Sequence, residues 1–200
     1  MKKCEVAPTV RVVRDGYVIR KNGTVKRASS TVALVEAGDH KIVVDTGDVG
    51  EREDLVRAFE GIGTTLQSID IVVNTHLHRD HFGGNELFEN ARFYAHERED
   101  PPVSVVKVYS ETILAQGVSI VPTPGHTKGS VSVFVEGRRR YAICGDALPT
   151  RANYDNHTPP SVNIDPRLAL RSMDAIVSWT DVVVPGHDSL FEIARRNNKA

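Results

Sequence analysis

Six consecutive residues, His76-Leu77-His78-Arg79-Asp80-His81, carry four side chains able to ligate a metal, and no other segment restricts the fold as much. Three histidines and an aspartate at this spacing are expected by chance in about one in a thousand chains of this composition. Such a polar group is expected on a loop, where function tends to sit. The flanking residues agree: Ile69 to Asn74 is an apolar run with strand character, and Asn85 to Phe88 begins a helical pattern. The cluster therefore falls at a strand-to-helix loop.

Three further candidate ligands stand beside glycine at the ends of expected strands: His126 in Thr123-Pro124-Gly125-His126-Thr127, Asp146 in Cys144-Gly145-Asp146, and His187 in Pro185-Gly186-His187. Strand ends next to glycine let side chains from distant parts of a chain converge. Imidazole nitrogens and carboxylate oxygens suit zinc, and also iron or manganese, while leaving coordination positions for water and substrate. A centre built this way is catalytic in character rather than structural.

Around these loops the pattern alternates strands and helices. Strands are expected at Val10 to Val13, Tyr17 to Arg20, Thr31 to Glu36 and Lys41 to Asp45, broken at Asp15-Gly16, Asn22-Gly23 and Gly38-Asp39 and read as antiparallel hairpins. Glu51 to Gly61 places Leu55, Val56, Phe59 and Ile62 at helical spacing. Later strands are expected at Arg92 to Ala95, Val118 to Pro122, Val131 to Val135, Tyr141 to Cys144 and Val182 to Val184, with a helix at Pro166 to Trp179. Pro149 to Asp165 reads as a long irregular loop. This order predicts an α+β fold, an αββα sandwich of two mixed sheets flanked by helices.

Composition narrows function by exclusion. The 200 residues suit one domain, 1–200, and a net charge of -1 provides no field to attract nucleic acid or an anionic membrane. Arg138-Arg139-Arg140, the one basic run, reads as a solvated hairpin tip. No apolar stretch approaches the length of a bilayer span and none resembles a signal peptide, so the expected location is the cytoplasm. Cys4 and Cys144 are too few and too far apart for a disulfide framework or a zinc ribbon, and Cys144 reads as a small buried side chain.

The HxHxDH segment, the later His126, Asp146 and His187, and the early Val43-Val44-Asp45-Thr46-Gly47 together resemble the metallo-β-lactamase superfamily across essentially the whole chain. Within it, Ser29-Ser30-Thr31 and Asp181 to His187 look most like the small group named for metallo-β-lactamase domain-containing protein 1. The resemblance implies that His76, His78 and His126 hold one metal ion, that Asp80, His81 and His187 hold a second, and that Asp146 bridges them. It further implies a metal-dependent hydrolase in which a hydroxide shared between two ions attacks an ester-type bond of a small molecule, whether phosphodiester, carboxylic ester or lactone. Zinc is the expected metal, Asp80 and Asp146 take catalytic roles, and Asp45 supports a ligand histidine or the main loop from behind. A homodimer is compatible with so small a domain.

Other residues receive plainer readings. His96 reads as a hydrogen-bonded structural histidine and His40 as an exposed turn residue, Thr127 and Ser130 serve loop geometry, and Lys128 reads as solvated, with contact to an anionic substrate as the alternative. Tyr154, Asn156 and His157 lie on the long loop between Asp146 and His187, where they could supply a general acid or a substrate contact. Three alternatives compete with the dinuclear hydrolase. A mononuclear iron dioxygenase acting on persulfides would use His76, His126 and Asp146. A thioester hydrolase of the glyoxalase II type is disfavoured by the short segment after His187, and a scaffold without catalysis by the full set of ligands.

Overall fold

In the computed structural model, which describes residues 6–194, the chain runs through β1 (Thr9–Arg14), β2 (Tyr17–Lys21), β3 (Thr24–Ser29), β4 (Val32–Ala37), β5 (His40–Val44), α1 (Arg52–Gly61), β6 (Ile71–Val73) and α2 (Arg79–Phe82). It continues through β7 (Arg92–His96), β8 (Val106–Val108), β9 (Thr112–Ala115), β10 (Val118–Pro122), β11 (Val131–Glu136), β12 (Arg140–Ile143), α3 (Arg151–Asp155), α4 (Pro166–Trp179), β13 (Val182–Val184) and β14 (Phe191–Glu192). Cys4 lies outside the described residues.

Two six-stranded sheets face each other, ordered β1-β4-β5-β6-β7-β8 and β14-β13-β12-β11-β10-β9. Both are mixed: β5, β6, β7 and β8 run parallel, as do β12 and β13, and the remaining pairs are antiparallel. Val35, Val44, Val73 and Ile71 of one sheet and Ile120, Val133, Val135 and Ile143 of the other fill the space between them. Each such side chain, fully buried, contributes about 1.5–3 kcal/mol of transfer free energy.

The outer faces are closed by helices. α1 buries Leu55 and Phe59, one turn apart, and Phe59 meets Phe88 edge to face at 5.6 Å. α4 lays Ala169, Met173 and Ile176 on the other sheet. It starts where the sequence says it should, because the Asp165 carboxylate accepts from the Arg167 and Leu168 N–H groups and Pro166 occupies the first turn. The fold is the expected αββα sandwich of two mixed sheets flanked by helices.

This topology gathers the chemistry at one edge. Asp45 follows β5, the HxHxDH segment follows β6, His126 follows β10, Asp146 follows β12 and His187 follows β13; the segment is not all loop as expected, since α2 begins within it and carries Asp80 and His81. Parallel neighbours point their C-terminal ends the same way, which is why loops distant in sequence meet there.

Several local expectations need correction. β1 does not form a hairpin with β2: it pairs with β4, while β2 pairs with β3 through an Asn22-Gly23 turn with both φ positive. At Asp15-Gly16 the chain leaves the sheet, and the Gly16 N–H donates to Thr31 Oγ1. Strands β3, β8, β9 and β14 were not foreseen. The stretch 149–165 is not wholly irregular either, since Thr150 caps the short helix α3 by accepting from the Asn153 N–H. The basic tip is partly tied down: Arg139 pairs with Glu192 at 2.6 Å and the Arg140 guanidinium lies over Trp179. His40 and Lys128 are exposed, and burial pushes the Cys144 thiol up. No helix among the described residues is long and apolar enough to cross a membrane.

Candidate metal centre

His76 and His81 are wholly buried, His126 and His187 nearly so, and His78 opens to solvent. Their ring nitrogens converge. His76 Nε2, His78 Nδ1 and His126 Nε2 lie 2.9–3.2 Å from one another, and His81 Nε2 lies 3.3 Å from His187 Nε2. Asp146 sits between the two groups: Oδ2 is 3.4 Å from His126 Nε2, and Oδ1 is 3.1 Å from His187 Nε2 and 3.5 Å from His81 Nε2. Asp80 Oδ2 is 3.6 Å from His187 Nε2. All seven candidate ligands thus meet at one place.

The opposite ring nitrogens say which way the protons point. His126 Nδ1 faces the Val162 carbonyl at 2.7 Å, His187 Nδ1 the Ser29 carbonyl at 3.0 Å, and His81 Nδ1 the Asp45 carboxylate at 2.8 Å. Carbonyl and carboxylate oxygens only accept, so each of these nitrogens donates, and each Nε2 faces the cluster, where a metal ion in place of a proton would receive its lone pair. Ring nitrogens gathered at about 3 Å repel unless protons or a metal cation lie among them. Ligands held about 2.0–2.1 Å from a common ion would be separated by about 2.9–3.4 Å, which matches. Asp146 Oδ1, buried without a hydrogen-bond partner, is one more donor atom that a metal would satisfy. The residues form a His/Asp cluster able to bind metal ions.

Electrostatics follow from the same contacts. Burial pushes His76 well below the ordinary imidazole range, reinforced by its histidine neighbours, and pushes His78 down as well. Burial also opposes the charged forms of His81, His187 and Asp146, but Asp45 and Asp146 outweigh it at His81, and Asp146 outweighs it at His187. The facing histidines in turn hold the Asp146 carboxyl well below its usual range. The metal-free cluster therefore keeps protons that a bound cation would replace.

Two glycines make the approach possible. Gly145 has φ +48, and a Cβ there would stand 2.2 Å from Thr75 Oγ1; a Cβ on Gly186 would stand 2.4 Å from Asp146 Oδ1. Asp45, itself in the left-handed region at φ +57, fixes the HxHxDH loop from behind: Oδ1 accepts from the Thr75 N–H, while Oδ2 accepts from the Thr75 hydroxyl and from His81.

Sequence reasoning missed Glu99. Its carboxylate accepts from the Leu77 N–H, the Thr127 hydroxyl and the Gly129 N–H, joining the HxHxDH loop to the His126 loop. It follows β7, where His96 caps a short turn by accepting from the Arg98 N–H, and no pattern in the sequence marks its long-range partners. Thr75 was passed over although it adjoins the motif, and the Ser29 and Val162 carbonyls carry no sequence signal at all.

The metals would face a cavity of about 550 Å³, walled by the β2–β3 hairpin on one side and the 149–162 segment on the other. The structure does not bring Tyr154, Asn156 or His157 to it. α3 turns Tyr154 onto Phe191, Asn156 binds the Ala152 carbonyl, and His157 pairs with Asp174 at 2.8 Å on the exposed surface. The same segment contributes Thr150, Asn153, Thr158 and Ser161 instead.

The family model of the metallo-beta-lactamase superfamily matches residues 25–105. A Methanocaldococcus jannaschii protein named "Probable metallo-hydrolase" is 33% identical over 90% of this chain and 87% of its own length. Metallo-beta-lactamase domain-containing protein 1 of Mus musculus is 34% identical over 86% of this chain and 68% of its own. Among solved structures, a candidate metallo-beta-lactamase from Thermotoga maritima superposes with a TM-score of 0.77 at 25% identity, covering 93% of this chain and 99% of that one. An N-acyl homoserine lactone hydrolase, solved with N-hexanoyl-L-homoserine at its catalytic metal centre, shares the fold at 20% identity with a TM-score of 0.67, covering 87% and 88%. The chain belongs to the metallo-beta-lactamase superfamily and is one of its metal-dependent hydrolases.

Proposed function

We propose that this hydrolase is dinuclear, with zinc as its metal, and that it cleaves ester-type bonds of small molecules, with lactones and carboxylic esters ahead of phosphodiesters. The observation that carries this reading is the convergence of ring Nε2 atoms, those of His81, His126 and His187 each turned inward by an acceptor behind its ring. His76, His78 and His126 would hold one ion, Asp80, His81 and His187 the other, and Asp146 would join them. When bound, such ions supply Lewis acidity and make water a competent nucleophile near neutral pH.

The chain's own groups do the rest. Asp80, whose side chain is one-quarter exposed and lines the cavity, orients the attacking water and takes its proton. Water oxygen bonds to the acyl carbon, the bond from that carbon to the leaving oxygen breaks, and the proton passes to that oxygen. Asp45 and Thr75 keep His81 aligned, and Glu99 keeps the two loops in register. The relative whose structure contains an acyl homoserine supports the preference for lactones and carboxylic esters. The reading extends to residues 1–200 as one domain acting in the cytoplasm.

The test is turnover of a γ-lactone, a 4-nitrophenyl ester and bis(4-nitrophenyl) phosphate before and after metal removal. We expect cleavage of the first two to disappear with the metal and return with added zinc. Cleavage indifferent to metal, or no cleavage of any of the three, would refute the reading.

A further inference from the structure

The cavity wall opposite the cluster is uneven in chemistry. The hairpin presents Val18, Val25 and Ala28, and the 149–162 segment adds Pro159, Pro160 and Val162. Set into this apolar wall is Arg20, the one arginine or lysine lining the cavity among the described residues. Arg14 on β1 and Arg27 on β3 both pair with Glu51, at 2.6 and 2.8 Å. Arg20 instead donates from Nη2 to the hydroxyl of Ser161 across the cavity mouth, at 2.7 Å. A hydroxyl leaves the guanidinium charge uncompensated and can turn to donate to a shared anion.

We infer that the substrate carries a carboxylate, separate from the bond that is cut, which pairs with Arg20 and Ser161 while its apolar portion lies against Val18, Val25 and Ala28. The inference rests on the ester-hydrolase reading and deepens it. A carboxylate fits better than a phosphate because one guanidinium balances one negative charge, and a phosphate monoester carries nearly two. The site would select its substrate through the roof and cut it at the floor, with the charge on Arg20 drawing anionic esters toward the mouth.

The test compares kcat/KM for mono(4-nitrophenyl) glutarate with that for 4-nitrophenyl butyrate, in wild type, Arg20→Ala and Arg20→Lys. Wild type should prefer the glutarate, and Arg20→Ala should lower that preference about tenfold, chiefly through KM, with partial recovery in Arg20→Lys. Arg20 is exposed on the hairpin, so these variants should fold, and circular dichroism checks that they do. A preference unchanged in Arg20→Ala, or absent in wild type, overturns the inference. If wild type cleaves neither ester, the hydrolase reading fails and titration calorimetry with glutarate decides the inference instead. Binding weakened by Arg20→Ala supports it; binding equal in both proteins, or absent, overturns it.

Discussion

The two walls of the cavity are held in different ways. On the floor, His76 and His81 are inaccessible to solvent, and His81, His126 and His187 are each fixed by a hydrogen bond behind the ring. On the roof, β2 pairs only with β3, Ile19 and Val25 are exposed, and the hairpin is anchored at its base by one ionic cluster in which Glu51 receives Tyr17, Arg14 and Arg27. Positions that must hold metals to a fraction of an ångström are over-determined, whereas the wall that meets the variable part of a substrate has few tertiary restraints. Floor substitutions should therefore abolish turnover, and roof substitutions should change selectivity and local stability.

The largest effect is expected at Asp146. Asp146→Ala removes the carboxylate shared by both halves of the cluster and should lower kcat/KM for esters by about a thousandfold or more, with the sandwich intact by circular dichroism. Gly186→Ala comes next. Its new methyl would meet Asp146 Oδ1, and a displacement of about 1 Å should lower turnover about a hundredfold without changing any ligand. Metal content measured beside activity distinguishes a shifted carboxylate from an empty site.

Asp45→Asn sharpens the contrast by leaving every candidate ligand in place. Both carboxylate oxygens accept from donors, so either orientation of the amide sets an N–H₂ against a donor. Metal affinity should fall about 10–100-fold, read by competition with a chelator of known affinity, and an unchanged affinity would show that Asp45 serves only the turn.

At the hairpin base the effect is smaller and depends on pH. Burial opposes ionisation of Glu51, yet the Tyr17 and Ser29 hydroxyls and the two arginines hold its carboxyl below its ordinary value. Burial and Glu51 together push the Tyr17 phenol up to about 12. A depressed carboxyl stabilises the fold above its unfolded value of 4.5 and loses that contribution as pH falls through the lower folded value. A raised phenol contributes fully below pH 10 and loses its contribution between pH 10 and about 12. Glu51→Gln should cost about 2 kcal/mol in urea unfolding near neutral pH, with the difference from wild type narrowing at both extremes. Activity on a small neutral ester should change less than about threefold, since Glu51 touches no candidate ligand. A loss as large as that at Asp45 would break the division between roof and floor.

What the sequence revealed follows the same division. Of the seven converging side chains, His126, Asp146 and His187 were legible because they sit beside glycines at strand ends, and the other four because a short dense motif survives without knowledge of the fold. α4 was legible to the residue, since Asp165 and Pro166 mark its start and its apolar positions recur at helical spacing. The roof was not. β3 is exposed from Thr24 through Arg27 and is buried only at its end, so no buried face imposes alternation, and β8 and β9 are short edge strands. Nearness in sequence misled at Tyr154, Asn156 and His157: α3 turns Tyr154 onto Phe191, and just past its end Asn156 binds back to Ala152 and His157 to Asp174. Glu99 and Glu51 act through partners far along the chain, which a single sequence does not connect.

The most direct measurement is metal stoichiometry by elemental analysis of protein purified without chelator, with Asp146→Ala in parallel. The account predicts about two zinc-like ions per chain, falling to about one or fewer in the variant. A single iron per chain, or no metal at all in active protein, would contradict it.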